Sequence, residues 1–304
     1  MDEMLLEILG SKRPIIQGPM RFITLGEMAA VVSSHGGFGQ IAASGLSPEA
    51  LREEIRKAKN FTARPFGVNF PIYRPKTEEL LDIAIEEGVK IITTSAGNPK
   101  KYMNKIKDAG LKVIHKVSTV GMAKKAEDAG VDGVVATGIE AGGHVGRDGT
   151  TSLCLIPQIV KDVKIPVIAA GGISDAAQLK AIMELGAQGA EVGTRFLATK
   201  ECPVPQFFKR MILEADDSST VLIGKGGMPM RVLNNNAAQR IMSLDKKNED
   251  KNIINTKVDK LYIASKGDEQ SSILPCGQVA GSIKELMTVE QVIMEFGKAF
   301  LRGI

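Results

Sequence analysis

The most constraining feature of this sequence is a rhythm. Short, β-branched runs alternate with longer helical patterns eight times within about the first 195 residues. Strands are expected at residues 14–17, 38–41, 66–69, 89–94, 112–117, 133–137, 166–169 and 189–192. Helical patterns fill the gaps, notably at 26–32, 77–87, 99–109, 119–129 and 175–185. A further helix starts at Ser47-Pro48-Glu49, with a capping serine, proline at the first helical position and an acid in the first turn. Gly110, Gly130 and Gly186 follow helix ends and read as C-caps leading into strands. Such alternation implies parallel βαβ units. Eight units match a (β/α)8 TIM barrel of the α/β class better than an open sheet, which more often stops at about six strands.

After Arg195 the rhythm stops. Residues 201–282 hold helical segments at 205–215 and 236–242 without a βα repeat, and residues 244–260 form a polar, mixed-charge stretch that reads as a solvated helix or loop. An amphipathic segment at 288–301, capped by Thr288 with Glu290 in its first turn, reads as the last barrel helix. The expected organisation is a barrel over residues 1–200, completed by 283–304, with a smaller cap or substrate domain inserted at 201–282. An insertion after the eighth strand sits over the C-terminal mouth, where active sites of this fold lie.

Composition narrows the function. With 304 residues, 43% of them hydrophobic and 24% charged, the chain can bury a sizeable core, which excludes global disorder. Aromatics reach only 4% and Trp is absent, which argues against a stacking platform for nucleic acid. A net charge of +4 is too small to point to nucleic acid or a membrane, though it accommodates an anionic ligand. Cys154, Cys202 and Cys276 lie far apart with no CxxC, so a reducing compartment without a disulfide framework is expected. The acidic opening MDEMLLEILGSKRP is unlike a secretory leader, and no apolar stretch approaches the ~18 residues of a membrane span. The expected location is the cytoplasm. No metal-ligand spacing of the HExxH kind, no GxSxG and no Walker loop are present in the sequence.

Three constellations carry chemistry. Ala170-Gly171-Gly172-Ile173 follows the seventh strand, and Gly193-Thr194-Arg195 follows the eighth. In a barrel these two loops converge, and glycine lets backbone N–H groups close on an anion, so a phosphate site is favoured over simple turn-shaping. The run from Gly138 to Gly146 is too glycine-rich for a helix or strand and reads as a loop presenting His144 at the mouth, as acid or base. Of the other histidines, His35 sits near a helix end, where it can interact with the last carbonyls, and His115 inside the fifth strand reads as a hydrogen-bonded buried residue. Finally, Gln17, Asn69 and Lys116 close the first, third and fifth strands, where polar groups point into the site. A snorkelling surface lysine is the alternative for Lys116, and its apolar neighbours Val113, Ile114 and Val117 argue for the site.

In order and spacing, Gly18-Pro19-Met20, Gly36-Gly37-Phe38-Gly39, Phe66-Gly67-Val68-Asn69, Glu140-Ala141-Gly142-Gly143-His144, Ala170-Gly171-Gly172-Ile173, Gly193-Thr194-Arg195-Phe196 and Gly277-Gln278-Val279-Ala280-Gly281 resemble the nitronate monooxygenase (formerly 2-nitropropane dioxygenase) family. That family includes the flavin-dependent enoyl-acyl-carrier-protein reductase II. The resemblance spans nearly the whole chain and implies an FMN-binding barrel. By it, Gly18, Met20 and Asn69 line the isoalloxazine, Lys116 approaches the ring, and Gly142 lies in the cofactor site. Gly171, Gly172, Gly193 and Thr194 hold the phosphate, Gln278 and Gly281 close over the flavin, and His144 is the active-site histidine. A lysine near the ring would stabilise the anionic reduced flavin.

Branch signals divide. His115-Lys116 is similar to the monooxygenases, whereas the Ser95-Ala96-Gly97-Asn98-Pro99 turn is similar to the reductase branch. The leading expectation is FMN-dependent oxidation of alkyl nitronates with O₂ to a carbonyl compound and nitrite. The alternative is reduction of an enoyl thioester or quinone by NADH or NADPH through FMN. A flavin-storage or sensing protein would keep the phosphate loops and have no need of His144. The expected partner is a small molecule, and a homodimer follows from the frequency of such assemblies.

Overall fold

Apolar runs bounded by glycine and proline fold here as strands buried on both faces, the environment of a parallel sheet wrapped in helices. The structure is a computed structural model and describes residues 3–247, 250–262 and 267–300. Its strands are β1 (Ile15–Gln17), β2 (Gln40–Ala42), β3 (Gly67–Pro71), β4 (Ile91–Ser95), β5 (Lys112–Val117), β6 (Gly133–Thr137), β7 (Gly143–His144), β8 (Val167–Ala170), β9 (Gly189–Val192), β10 (Thr220–Ile223) and β11 (Met230–Leu233). Eight of them form one parallel sheet in the order β1-β9-β8-β6-β5-β4-β3-β2. Phe38 N–H donates to Ile15 O (2.8 Å) and Gln17 N–H to Phe38 O (2.9 Å), which draws the two edge strands into a nearly closed barrel. The (β/α)8 expectation is the observed fold, and every expected barrel strand is present.

Alternation along the strands sorts side chains into two cores. Ile15, Val113, Val134 and Val167 join the outer core shared with the helices, while Ile16, Phe38, Ile91, Ile114, Val135 and Ile168 fill the interior. Helix Glu3–Leu9 closes the bottom by adding Leu5 and Leu9 to that interior cluster. Two residues further along, the inward positions turn polar: Gln40 after Phe38, Thr93 after Ile91, Lys116 after Ile114 and Thr137 after Val135. Asn69 and Glu191, two residues after Gly67 and Gly189, belong to the same layer. An apolar floor therefore carries a polar storey.

Local signals explain the helix boundaries. Ser47 Oγ accepts from Ala50 N–H (3.2 Å) at the start of helix Pro48–Phe61. Gly110 and Gly130 hold φ of 70° and 88°, and a Cβ at either would meet nothing within 4 Å, so glycine serves the left-handed backbone alone. Helix Val289–Gly297 starts with a capping box between Thr288 and Gln291 and packs Val289, Val292, Ile293 and Phe296 on the main core. Leu301, the expected end of that helix, lies outside the described residues.

Residues 201–282 differ from expectation in detail. Helix Gln206–Glu214 sends Phe208 and Ile212 into the main core. A separate small core, including Ile223, Val232, Ile241, Ile254 and Ile273, joins β10 and β11 to helices Asn236–Lys246 and Lys251–Leu261. The polar stretch is thus mostly helical, with residues 248–249 outside the described residues. The glycine-rich run after β6 is not wholly loop. Gly143 and His144 form the short strand β7, antiparallel to β11, with His144 opposite Met230. Met230 lies 86 residues downstream of His144, so no local pattern could announce the pairing. Helix Ser152–Asp162 fills the gap between β6 and β8, and Pro157 inside it interrupts the usual helical signal. Among the described residues, no helix is long and apolar enough to cross a membrane.

Candidate active site

Two adjoining cavities open where the strands end. The smaller, of about 110 Å³, is lined by Gly18, Met20, Gly171, Gly172, Gly193 and Thr194 among others. The larger, of about 510 Å³, is lined by Asn69, Arg21, Arg74, Arg147 and Asp259 among others. Lys116, Thr137, Gly142, His144 and Tyr262 line both, so the two form one continuous site.

The smaller cavity is a backbone cradle. Gly171 and Gly172 take φ of 102° and 75°, which strains any L side chain. A Cβ at Gly142 would come within 2.7 Å of Gly277 N, whereas a Cβ at Gly193 would meet only Met20 Sδ, at 4.0 Å, and would point into open space. Gly172 and Gly193 N–H groups find no acceptor among the described residues. Thr194 Oγ1 accepts from Gly277 N–H (2.9 Å), which ties the late segment onto the loop after β9. At the end of β6, the buried Thr137 hydroxyl has no hydrogen-bond partner among the described residues. Free amides at converging loops, an orphaned hydroxyl and a lysine at the junction fit a phosphate-bearing, ring-shaped cofactor such as FMN.

Below the junction lies the polar storey. Lys116 Nζ donates to Glu191 Oε1, and Gln40 Nε2 donates to Glu191 Oε2 (3.1 Å) and to Gln17 O (3.0 Å). Thr93 Oγ1 donates to Gln40 Oε1 and accepts from Asn69 Nδ2 (2.9 Å). Lys116 is therefore no surface lysine.

The mouth is built from long side chains. Arg21 donates to Asp259 Oδ1 (2.8 Å), and Arg74 grips both oxygens of the same carboxylate (3.0 Å each). Burial works against the charge of Asp259, but the bonds and charges of Arg74 and Arg21 outweigh it and hold its carboxyl below the ordinary range. The Arg21 guanidinium stacks over Phe22 (4.5 Å) and Tyr262 (5.5 Å), and Arg74 over Tyr73 (5.0 Å). Among the described residues, the larger cavity is thus lined by four cationic side chains, Arg21, Arg74, Lys116 and Arg147, against the single carboxylate of Asp259.

His144 faces that cavity from β7, exposed on its open side and crowded by protein on the others. Desolvation pushes its pKa down to about 4, with Arg74 and Arg21 adding to the shift and Asp259 opposing it. The imidazole is neutral at pH 7. His115 is fully inside the barrel wall, its Nδ1 2.8 Å from Thr94 Oγ1, and burial lowers its pKa to about 4 as well. His35 lies at a helix end with Nδ1 4.0 Å from Glu290.

Ten of the twelve expected site residues line these cavities; Gln278 and Gly281 do not. Gln278 is exposed and Gly281 rests against the Asp216 backbone, because the 3-10 turn Gln278–Ser282 rotates both away, while Gly277 and Val279 face the cavity instead. Sequence reasoning missed Thr137, Glu191 and the mouth residues. A charged residue inside the apolar strand β9 was a usable signal for Glu191. Nothing local marked Arg21, Arg74 or Asp259.

The sequence profile of the nitronate monooxygenase family matches residues 2–298. The chain belongs to the nitronate monooxygenase family. A probable nitronate monooxygenase of Staphylococcus saprophyticus is 32% identical over a 319-residue alignment, covering 89% of this chain and 90% of that protein. The (3aS,4S,5R,7aS)-5-hydroxy-7a-methyl-1-oxo-octahydro-1H-indene-4-carboxyl-CoA dehydrogenase of Rhodococcus jostii is 35% identical over 231 residues, 76% of this chain and 65% of that protein, so the match spans just under two thirds of that relative. Among solved structures, FabK from Thermotoga maritima superposes with a TM-score of 0.92 at 36% identity, covering 97% of this chain and 95% of that one. A nitroalkane oxidase from Streptomyces ansochromogenes does so at 0.81 and 26% identity, covering 97% and 98%. Like its family, the chain is an oxidoreductase, and members of the family generally depend on FMN.

Proposed function

We propose that this chain binds FMN and oxidises alkyl nitronates with O₂ to a carbonyl compound and nitrite. The observation that carries the reading is His144 set in a cavity lined by Arg21, Arg74, Arg147 and Lys116. A nitronate is anionic and already deprotonated, so it needs attraction and orientation rather than a strong base. Arg21, Arg74 and Arg147 attract it, and neutral His144 orients it by hydrogen bonding. Gly171, Gly172, Gly193 and Thr194 hold the FMN phosphate, while Gly18, Met20, Asn69 and Lys116 surround the ring. When bound, FMN supplies the electron-transfer and oxygen chemistry. Residues 201–282 serve as the cap, with Tyr262 and Asp259 shielding the mouth from water.

A second reading, relay of hydride from NADH or NADPH through FMN to an enoyl thioester or quinone, is favoured by the 510 Å³ of the larger cavity, which is ample for a bulkier acceptor. There the same arginines would take phosphates of the dinucleotide or thioester. Anaerobic stopped-flow mixing separates the two. Reduction of the flavin by propyl-2-nitronate with slow reduction by NADH and NADPH supports the first; rapid bleaching by either nucleotide with no response to nitronate overturns it in favour of the second.

A further inference from the structure

We propose that Glu191 is a positioning residue: its ion pair with Lys116 fixes the ammonium at the junction of the two cavities and thereby sets how strongly the site prefers reduced over oxidised FMN. The proposal rests on the FMN reading above.

Glu191 is 4% exposed and Lys116 24%, so the carboxylate is the more deeply buried of the pair, at the edge of the smaller cavity, while the ammonium reaches both cavities. The apolar floor of Ile16, Ile114, Val135 and Ile168 closes the barrel interior below. Both carboxylate oxygens are engaged, one by Lys116 and the other by Gln40, and Gln40 is itself held by Gln17 and Thr93. The relay from Lys116 through Glu191, Gln40 and Thr93 to Asn69 crosses five strands, β5, β9, β2, β4 and β3. A lysine rotamer tethered this way cannot swing out to solvent.

The two charges do not act equally. Lys116 lines both cavities, whereas Glu191 lines only the smaller one. A cation beside the ring favours the extra negative charge of reduced FMN, and a carboxylate behind it subtracts part of that preference. In a partly buried site the screening is weaker than in water, so one charge matters. Replacing Glu191 by glutamine keeps the shape and one amide oxygen to accept from Lys116, while removing the subtraction.

The test uses Glu191→Gln, Lys116→Met and the double variant, each checked by thermal melting. Protein stripped of flavin is titrated with FMN, and the two-electron potential of the bound flavin gives the ratio of affinities for the reduced and oxidised forms. Glu191→Gln should move that ratio at least tenfold towards reduced FMN, about 30 mV for a two-electron couple. Lys116→Met should move it at least tenfold the other way. In the Lys116→Met background, Glu191→Gln should change it less than threefold, because a carboxylate this buried, deprived of its cation, takes up a proton and no longer carries the charge that the glutamine removes. If Glu191→Gln does not fold, Glu191→Ala carries the same expectation. An unmoved ratio in the single variant, or an equal shift with and without Lys116, overturns the proposal while leaving the FMN reading intact. Failure of the wild-type protein to bind FMN overturns both.

Discussion

At the glycine-lined end of the site, Gly171, Gly172 and Gly193 offer backbone and no side chain; at the mouth, Arg21, Arg74, Arg147 and Asp259 offer long charged side chains from four separate segments. The first end is fixed by φ angles and by close approaches that no Cβ permits, as at Gly142. The second is held by ion pairs and stacked guanidinium groups that other anions can compete for. Affinity for a constant group is thereby separated from the handling of a variable one. Substitutions at the two ends should fail in different ways.

The sharpest break is a carboxylate placed in the cradle. Gly193→Glu projects its side chain into the smaller cavity, where it opposes the phosphate charge and occupies its space. Flavin absorbance per protein should fall to background, with an FMN Kd raised on the order of 10³-fold or more, as like charges and lost volume combine. Normal flavin content in this variant would remove the phosphate assignment.

At the mouth, by contrast, His144→Ala should keep its FMN and lose rate. The expected fall in kcat/KM is on the order of 10²-fold if the neutral imidazole donates or accepts a hydrogen bond in the transition state. Nitronates should lose less than neutral nitroalkanes, whose carbon proton must first be removed. Full activity on every substrate would end the role assigned to His144.

A stability measurement tests the wall between the two ends. His115 has a pKa of about 4 folded against 6.5 for the ordinary group, so the unfolded chain takes up the proton first. Its contribution is complete above pH 6.5, declines as pH falls from 6.5 to 4, and levels off below. The loss is up to roughly 3 kcal/mol for a group this buried. Urea unfolding midpoints of wild type and His115→Gln should converge across that window, and parallel pH profiles would contradict the assignment.

The smallest effect is expected at Arg74. Arg74→Gln leaves Arg21 to hold Asp259, so KM for an anionic substrate should rise about three- to tenfold with kcat little changed, and the salt dependence of kcat/KM should flatten. Equal KM changes for anionic and uncharged substrates would show that Arg74 serves packing alone.

This contrast also explains what was legible in the sequence. Glycine pairs after strands seven and eight announce themselves locally, since few other reasons place Gly171-Gly172 and Gly193 there. Strand positions were legible because burial on both faces leaves continuous apolar runs. The mouth was not, because Arg21, Arg74 and Asp259 become a cluster only when loops after β1 and β3 meet the inserted helix Lys251–Leu261. Gln278 and Gly281 lie off the cavity, because the 3-10 turn presents Gly277 and Val279 to it instead, a phase that the sequence does not display. Glu191 was readable in principle, since an acid within a barrel strand has to find a cation, but its partner Lys116 is 75 residues away.

The pairing of β7 with β11 bears on how such enzymes can be recombined. His144 stands in register with Met230, so the backbone that presents the imidazole is hydrogen-bonded to the insertion rather than to the barrel sheet. Grafting the insertion of a relative onto this barrel would therefore re-aim the histidine along with the mouth. A chimaera that exchanges residues 201–282 alone breaks one hairpin seam; one that carries 138–146 along preserves it. The strand that carries His144 and the 220–233 hairpin share one three-stranded sheet, so exchanging either part alone disturbs the geometry of the other.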